Sequence, residues 1–190
     1  MATATILSIF LGIGLAASAG FRVFLPLFVL STASYFNVIE LNESWLWVST
    51  LPVMITLGIA MLAEIFGYYI PFVDNLLDTI ATPLAAIAGT VIMASTILDY
   101  DPALTWGLAI IAGGGTATAM QGMTSMTRLI SSVKTAGAGN PIVSTAETGT
   151  ALTLSSLAVF LPIVAIVAVV CLLLLVYYLY RKFKKIRSKK

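Results

Sequence analysis

Charged side chains are too scarce in this chain to build a water-facing surface. Asp, Glu, Lys and Arg make up 9% of its 190 residues, whereas soluble domains carry about 25%. Hydrophobic residues reach 59% and the mean hydropathy is +1.04. Lipid is the solvent such a chain fits. Backbone polar groups must there be satisfied within each segment, so the reading is an all-α integral membrane protein. The length suits about five or six spans of ~20 residues with short connections. Soluble enzymes and nucleic-acid binders are excluded at this step.

Five apolar blocks follow one another, at about 4–36, 45–70, 79–98, 103–130 and 149–180. A straight helix over the first would reach roughly 50 Å, longer than a ~30 Å hydrocarbon core. Gly12, Gly14, Gly20, Arg22 and Pro26 interrupt it, so a kinked, tilted or broken helix is expected. Trp45 and Trp47 read as interfacial anchors. Pro71 opens a polar-faced turn carrying Asp74 and Asp78, and Asp99-Tyr100-Asp101-Pro102 is a turn by composition. The fourth block is rich in Gly and Ala. The polar stretch after it, with Lys134, Gly137, Asn140, Pro141 and Glu147, reads as exposed loop. Small residues let helices approach closely in lipid, which places blocks one and four inside and block five against lipid. The architecture is thus about five transmembrane helices, some broken or re-entrant, in one polytopic domain over 1–180 with a basic tail at 181–190.

Seven of the ten basic residues lie in that tail: Arg181, Lys182, Lys184, Lys185, Arg187, Lys189 and Lys190. A basic cluster directly after an apolar span is the positive-inside signal, so the C-terminus is expected in the cytoplasm. The tail also attracts anionic lipid headgroups. Near the N-terminus, Ala17-Ser18-Ala19 resembles a signal-peptidase site, yet no basic region precedes it and the apolar run continues. It reads as a retained membrane segment.

Blocks one and four resemble each other. A shift of 101 places Gly12 on Gly113, Gly14 on Gly115 and Ala16 on Ala117, and a drift to 106 brings Arg22 onto Arg128. With two spans per half and the third block as linking helix, the second pair would enter from the opposite side. That is a weak inverted two-helix repeat, a plan shared by many transporters with a site between interrupted helices.

Residues of chemical interest are few. There is no histidine, and the one cysteine, Cys171, sits in an apolar run as a small hydrophobe. No catalytic residue, metal site or cofactor is expected, and no nucleophile–base pair is recognisable. Arg22 and Glu64 lie in apolar sequence, where an ionised side chain costs at least ~2.5–3.5 kcal/mol and normally faces a cavity or a partner. Arg22 and Arg128, with Gly20, Gly113 and Gly114 opening the helices around them, form the candidate substrate-binding set for an anion or phosphate group. Glu64 either partners Arg22 or binds a proton or cation. Asp74 and Asp78, four apart, share a helical face, where they could hold Mg²⁺, relay a proton, or simply begin a wetted helix. These three acids are the candidate charge-coupling set.

The run Gly12-Ile-Gly-Leu-Ala-Ala-Ser-Ala-Gly-Phe-Arg22-Val-Phe-Leu-Pro26-Leu, with Glu64, Pro71-x-x-Asp74-Asn75-x-x-Asp78, Thr82-Pro83 and Gly89, resembles the domain-of-unknown-function 4126 family. The resemblance implies a bacterial inner-membrane location and no activity. The expected function is a small inverted-repeat transporter or channel, assembled as a homo-oligomer, for a small ion or phosphate-headed ligand. The alternatives are a non-transporting membrane scaffold and a lipid-phosphate translocase.

Overall fold

The structure, a computed structural model, describes residues 2–98 and 100–187. Asp99 of the expected turn and Lys189 and Lys190 of the tail lie outside the described residues, as do the side chains of Tyr180, Lys182, Lys184, Lys185 and Arg187. Among the described residues every regular element is helical.

The first apolar block breaks where its sequence demands. Helix α1 (Ala2–Ala19) ends before Gly20, and α2 (Phe24–Tyr35) begins two residues before Pro26. Proline has no N–H and its ring clashes with the carbonyl four residues back, so a helix cannot run through 22–26, whereas the first turn of a new helix tolerates it. Gly20 makes the turn possible for a second reason. A Cβ there would lie 2.5 Å from the carbonyl oxygen of Ala117 and 2.8 Å from the nitrogen of Gln121.

A 3₁₀ segment (Glu43–Ser49) leads to α3 (Leu51–Gly67), bent from it by 64°. Helix α4 (Pro71–Thr96) starts at Pro71, so Asp74 and Asp78 lie on its first turns rather than in the expected separate turn. Helix α5 (Pro102–Leu108), a π-helical stretch (Ala109–Gly114) and α6 (Gly115–Thr135) form one 34-residue helix. The π stretch packs directly on α4: a Cβ on Gly89 would lie 2.6 Å from the carbonyl oxygen of Gly113. Helix α7 (Asn140–Phe160) occupies the region expected as polar loop, which shrinks to the turn at 136–139. Helix α8 (Pro162–Arg187) follows a break at Leu161, so the fifth block is two helices and the tail is helical to Arg187.

Contacts fix the directions. Along α1 and α7, Gly14 lies against Ala158, the Ser18 hydroxyl donates to the Ala151 carbonyl at 2.8 Å, and Arg22 reaches Ser144, so the two run antiparallel. Along α6 and α7, Arg128 meets Glu147 and Ser132 meets Asn140, again antiparallel. Therefore α1 and α6 run the same way. Gly12 and Gly113 both face Met93 of α4, and Arg22 and Arg128 both lie at the other end. The expected inversion of the repeat is corrected to a parallel relation. Block one is a hairpin of two helices rather than one span, and that extra pass reverses the parity of everything after it.

By length and composition two helices, Phe72–Thr96 and Pro102–Thr135, are apolar enough to cross a membrane, or three if the bent pair ending at Gly67 counts as one span. The expected count of five is not reached by this measure. The helices of 12 residues in α2 and 17 in α3 are too short to span alone, because the hydrocarbon core needs about 20.

Candidate functional site

Three helix-to-helix turns converge at one end of the bundle. Arg22 comes from the α1–α2 turn, Glu64 and Tyr68 from the end of α3, and Asp74 and Asp78 from the start of α4. Arg128 comes from late α6, and Asn140, Ser144, Glu147 and Thr148 from the first turns of α7. A further hydrogen bond of 2.8 Å, between Tyr69 and Thr145, ties the α3–α4 turn to α7.

Arg22 is fully buried, at 0% exposure. Its Nε donates to Thr148 Oγ1 at 2.9 Å, and its Nη2 donates to the Ser144 carbonyl at 2.8 Å and the Ser144 hydroxyl at 2.6 Å. The same Nη2 stands 3.5 Å from Glu147 Oε2. Arg128 is gripped by two acids. Its Nε donates to both Glu147 oxygens at 3.0 and 3.1 Å, its Nη2 donates to Glu147 Oε2, and its Nη1 donates to Asp74 Oδ1. Asp78 lies 3.7 Å from that Nη1. Glu147 therefore bridges the two arginines. The Tyr68 ring adjoins both, its centre 4.1 Å from the Arg22 guanidinium carbon and 4.0 Å from that of Arg128, within reach of cation–π attraction to each.

Glu64 has a separate task. Its Oε1 accepts the Val23 N–H at 2.8 Å and its Oε2 the Phe24 N–H at 2.9 Å. These are orphan donors at the N-terminus of α2, where the helix dipole also favours an anion. Neither role expected for Glu64, partner of Arg22 or cation ligand, accounts for these bonds. It caps a helix from forty residues away.

Two guanidiniums thus pair with three carboxylates, and Glu64, held by two backbone N–H groups beside them, brings the formal sum to −2. Six charged side chains share the site, with Arg22, Glu64, Asp74, Arg128 and Glu147 all buried. Buried ions at this density are costly unless each is paired or hydrogen-bonded. The outer surface at this level is apolar: Phe66, Phe72, Leu129, Val133 and Ile142 are between 65% and 80% exposed.

A family model described as a domain of unknown function, DUF4126, matches residues 9–182, a span that contains the whole cluster. The chain belongs to the DUF4126 family. No curated protein and no solved structure shows significant similarity to it.

In this DUF4126 chain the residues singled out by sequence separate into two groups. Arg22, Arg128, Asp74 and Asp78 meet in the cluster, with Glu64 at its edge and Gly20 two residues from Arg22. Gly113 and Gly114 do not. They pack against Gly89 and Thr90 of α4, roughly 20 Å along α6 from Arg128 at 1.5 Å per residue, and their role is close helix contact. Asp74 is poorly placed for Mg²⁺, because one oxygen takes Arg128 and the other accepts from Asn140 at 3.0 Å. Glu147, expected in an exposed loop, is the cluster's central acid. A helical signal was present for it: Asn140, Ser144, Glu147 and Thr148 fall at i, i+4, i+7 and i+8, one face of a helix. Tyr68 stands four residues after Glu64, on the same face.

Proposed function

We propose that this chain is a small multi-pass transporter whose cluster carries protons or a small monovalent cation. The observation that carries the reading is the −2 formal sum of a buried site ringed by exposed apolar side chains. Uncompensated carboxylates are too costly at membrane depth, so the excess is balanced by mobile positive charge. Among the described residues no three acids converge to hold a metal ion, which favours protons over a divalent ion. An anion or phosphate headgroup at Arg22 and Arg128 would have to displace Glu147 and Asp74, and would raise the negative excess. The reading therefore keeps transport and reverses the sign of the substrate.

Asp78 is the exchange point. It is half-buried, belongs to the acidic pair on α4, and keeps only the 3.7 Å ion pair to Arg128. The helices alternate in direction, so the tail of α8 leaves the bundle at the cluster's end. With the basic tail in the cytoplasm of a bacterium, the cluster opens toward the inner face of the inner membrane and the N-terminus lies outside. Anionic lipids meet the tail, and a homo-oligomer covers part of the exposed apolar surface.

The test is flux in proteoliposomes carrying a lumenal pH dye, under a potassium diffusion potential, beside chloride and phosphate gradients. Proton or potassium flux that is lost in Asp78→Asn, with the fold intact by circular dichroism, is the expected result. Chloride or phosphate flux without cation flux would restore the anion reading. A second reading, a static scaffold, is favoured by the multiple bonds that bind Arg128 to Glu147 and Asp74; silence to every ion would select it.

A further inference from the structure

All three tryptophans of the chain lie at the end of the bundle opposite the cluster, and they converge. Trp45 sits 5.9 Å from Trp47 and 6.4 Å from Trp106, ring centre to ring centre. With Tyr100, Asn42, Ser44 and Thr105 they line a cavity of about 290 Å³. Small-molecule pockets begin at roughly 300 Å³, so this one suits a compact ligand or a single headgroup. Its walls come from the 3₁₀ segment, the start of α5 and Ala94 of α4. Tryptophans serving only as interfacial anchors have no reason to gather around one hollow.

The wall is held in place. The Asn42 side chain donates to the Ile97 carbonyl at 3.1 Å and accepts from the Ser44 N–H at 3.1 Å, and the Asn42 N–H donates to Ser95 at 2.9 Å. The charge around it has one sign. No Lys or Arg occurs between Arg22 and Arg128, while Glu40, Glu43 and Asp101 fall in the segments that build this end. Glu43 stands between the lining residues Asn42 and Ser44, and Asp101, whose carboxylate accepts the Ala103 N–H at 2.9 Å at the start of α5, between Tyr100 and Pro102. An aromatic box in an acidic setting is the chemistry that recognises an alkylated ammonium, through the negative faces of the rings.

We infer that the Trp45–Trp47–Trp106 cavity binds a quaternary ammonium group, either as a free cation or as the choline headgroup of a lipid. The inference is independent of what the charged cluster does. The two sites are separated by about 30 Å along α4, from Asp74 to Ala94.

Because the protein has only these three tryptophans, its tryptophan emission, excited beyond the tyrosine absorption band, reports on this end of the bundle. The full chain in a maltoside detergent is titrated with choline and with 3,3-dimethylbutan-1-ol, which has the same shape and no charge. Parallel arms use short-chain phosphatidylcholine and short-chain phosphatidylglycerol below their micellar concentrations. A saturable emission change with choline, at least ~3-fold tighter than with the neutral alcohol, is expected from a cation–π contribution. Response to phosphatidylcholine alone assigns the group to a lipid; response to free choline shows that the headgroup suffices. Trp106→Leu weakens binding ~3- to 30-fold, and Glu43→Gln weakens it less. Equal responses to choline and the neutral alcohol, equal responses to the two lipids, or no response to any probe would overturn the inference. These comparisons are made on the unmodified protein and do not depend on any variant folding.

Discussion

Glu64 offers the sharpest test of how the break in the first apolar block is held. Its two oxygens accept the Val23 and Phe24 N–H groups, and Val23 is buried at 6% exposure. Glu64→Ala strands both donors. Leaving a buried donor unsatisfied costs about 1–3 kcal/mol, and losing an anion at a partly buried helix N-terminus up to ~2 kcal/mol more. The expected loss is about 3–5 kcal/mol. Glu64→Gln also loses the anion but keeps a carbonyl oxygen for one N–H, so it should cost less than Ala by about 1–3 kcal/mol. The assay is unfolding by SDS in mixed micelles, followed by helical circular dichroism. If Glu64 instead served chiefly to neutralise Arg22, charge alone would matter, and Gln would be as damaging as Ala. Equal losses for the two variants, or a loss for Ala below about 0.5 kcal/mol, would refute the capping argument.

Other perturbations test the remaining features. Glu147→Ala removes the acid shared by both arginines and should destabilise by about 3–5 kcal/mol in the same unfolding assay, more than Asp78→Asn, whose group keeps only the longer ion pair. Gly89→Ala should lower the unfolding midpoint, because its Cβ would meet the Gly113 carbonyl oxygen at 2.6 Å. Gly122→Ala, with nothing within 4 Å, should leave the midpoint unchanged or raise stability by up to ~1 kcal/mol. In a Cys171→Ser background, Glu40→Cys and Ala138→Cys should react with an impermeant maleimide from opposite membrane faces. Labelling of both from one face would contradict the alternating helix directions.

Much of the cluster was legible because ionised residues in apolar sequence are conspicuous. Arg22, Arg128, Asp74 and Asp78 need no structure to stand out, and the i, i+4 spacing of the two aspartates correctly put them on one face. Glu147 was hidden by its neighbours. The Ser, Thr, Gly and Asn around it read as loop in a water-soluble context, but between membrane helices small polar residues pack and cross-bond. The repeat was half legible. Gly12 with Gly113 and Arg22 with Arg128 do occupy equivalent heights, but their relative direction depends on how many times the chain turns between them. Hydropathy cannot count a turn buried inside an apolar run, and both Gly20–Val23 and Leu161 are such turns. The same limit explains why the five blocks read from hydropathy become seven separate helices among the described residues, α5 to α6 counted as one.

The long-range bonding of Arg22 bears on how the protein is made. Its hydrogen-bond acceptors, Ser144 and Thr148, and its nearest acid, Glu147, all lie on α7. At ~5–20 residues per second of ribosomal synthesis, the arginine waits roughly 6–25 s before the segment that satisfies it emerges. During that interval the Arg22 guanidinium has none of its native hydrogen-bond acceptors, only the Tyr68 ring once α3 is made. Its hydrogen-bonded setting is complete only once α7 arrives. The last-made helix of the cluster is thus the one that locks the first-made turn in place.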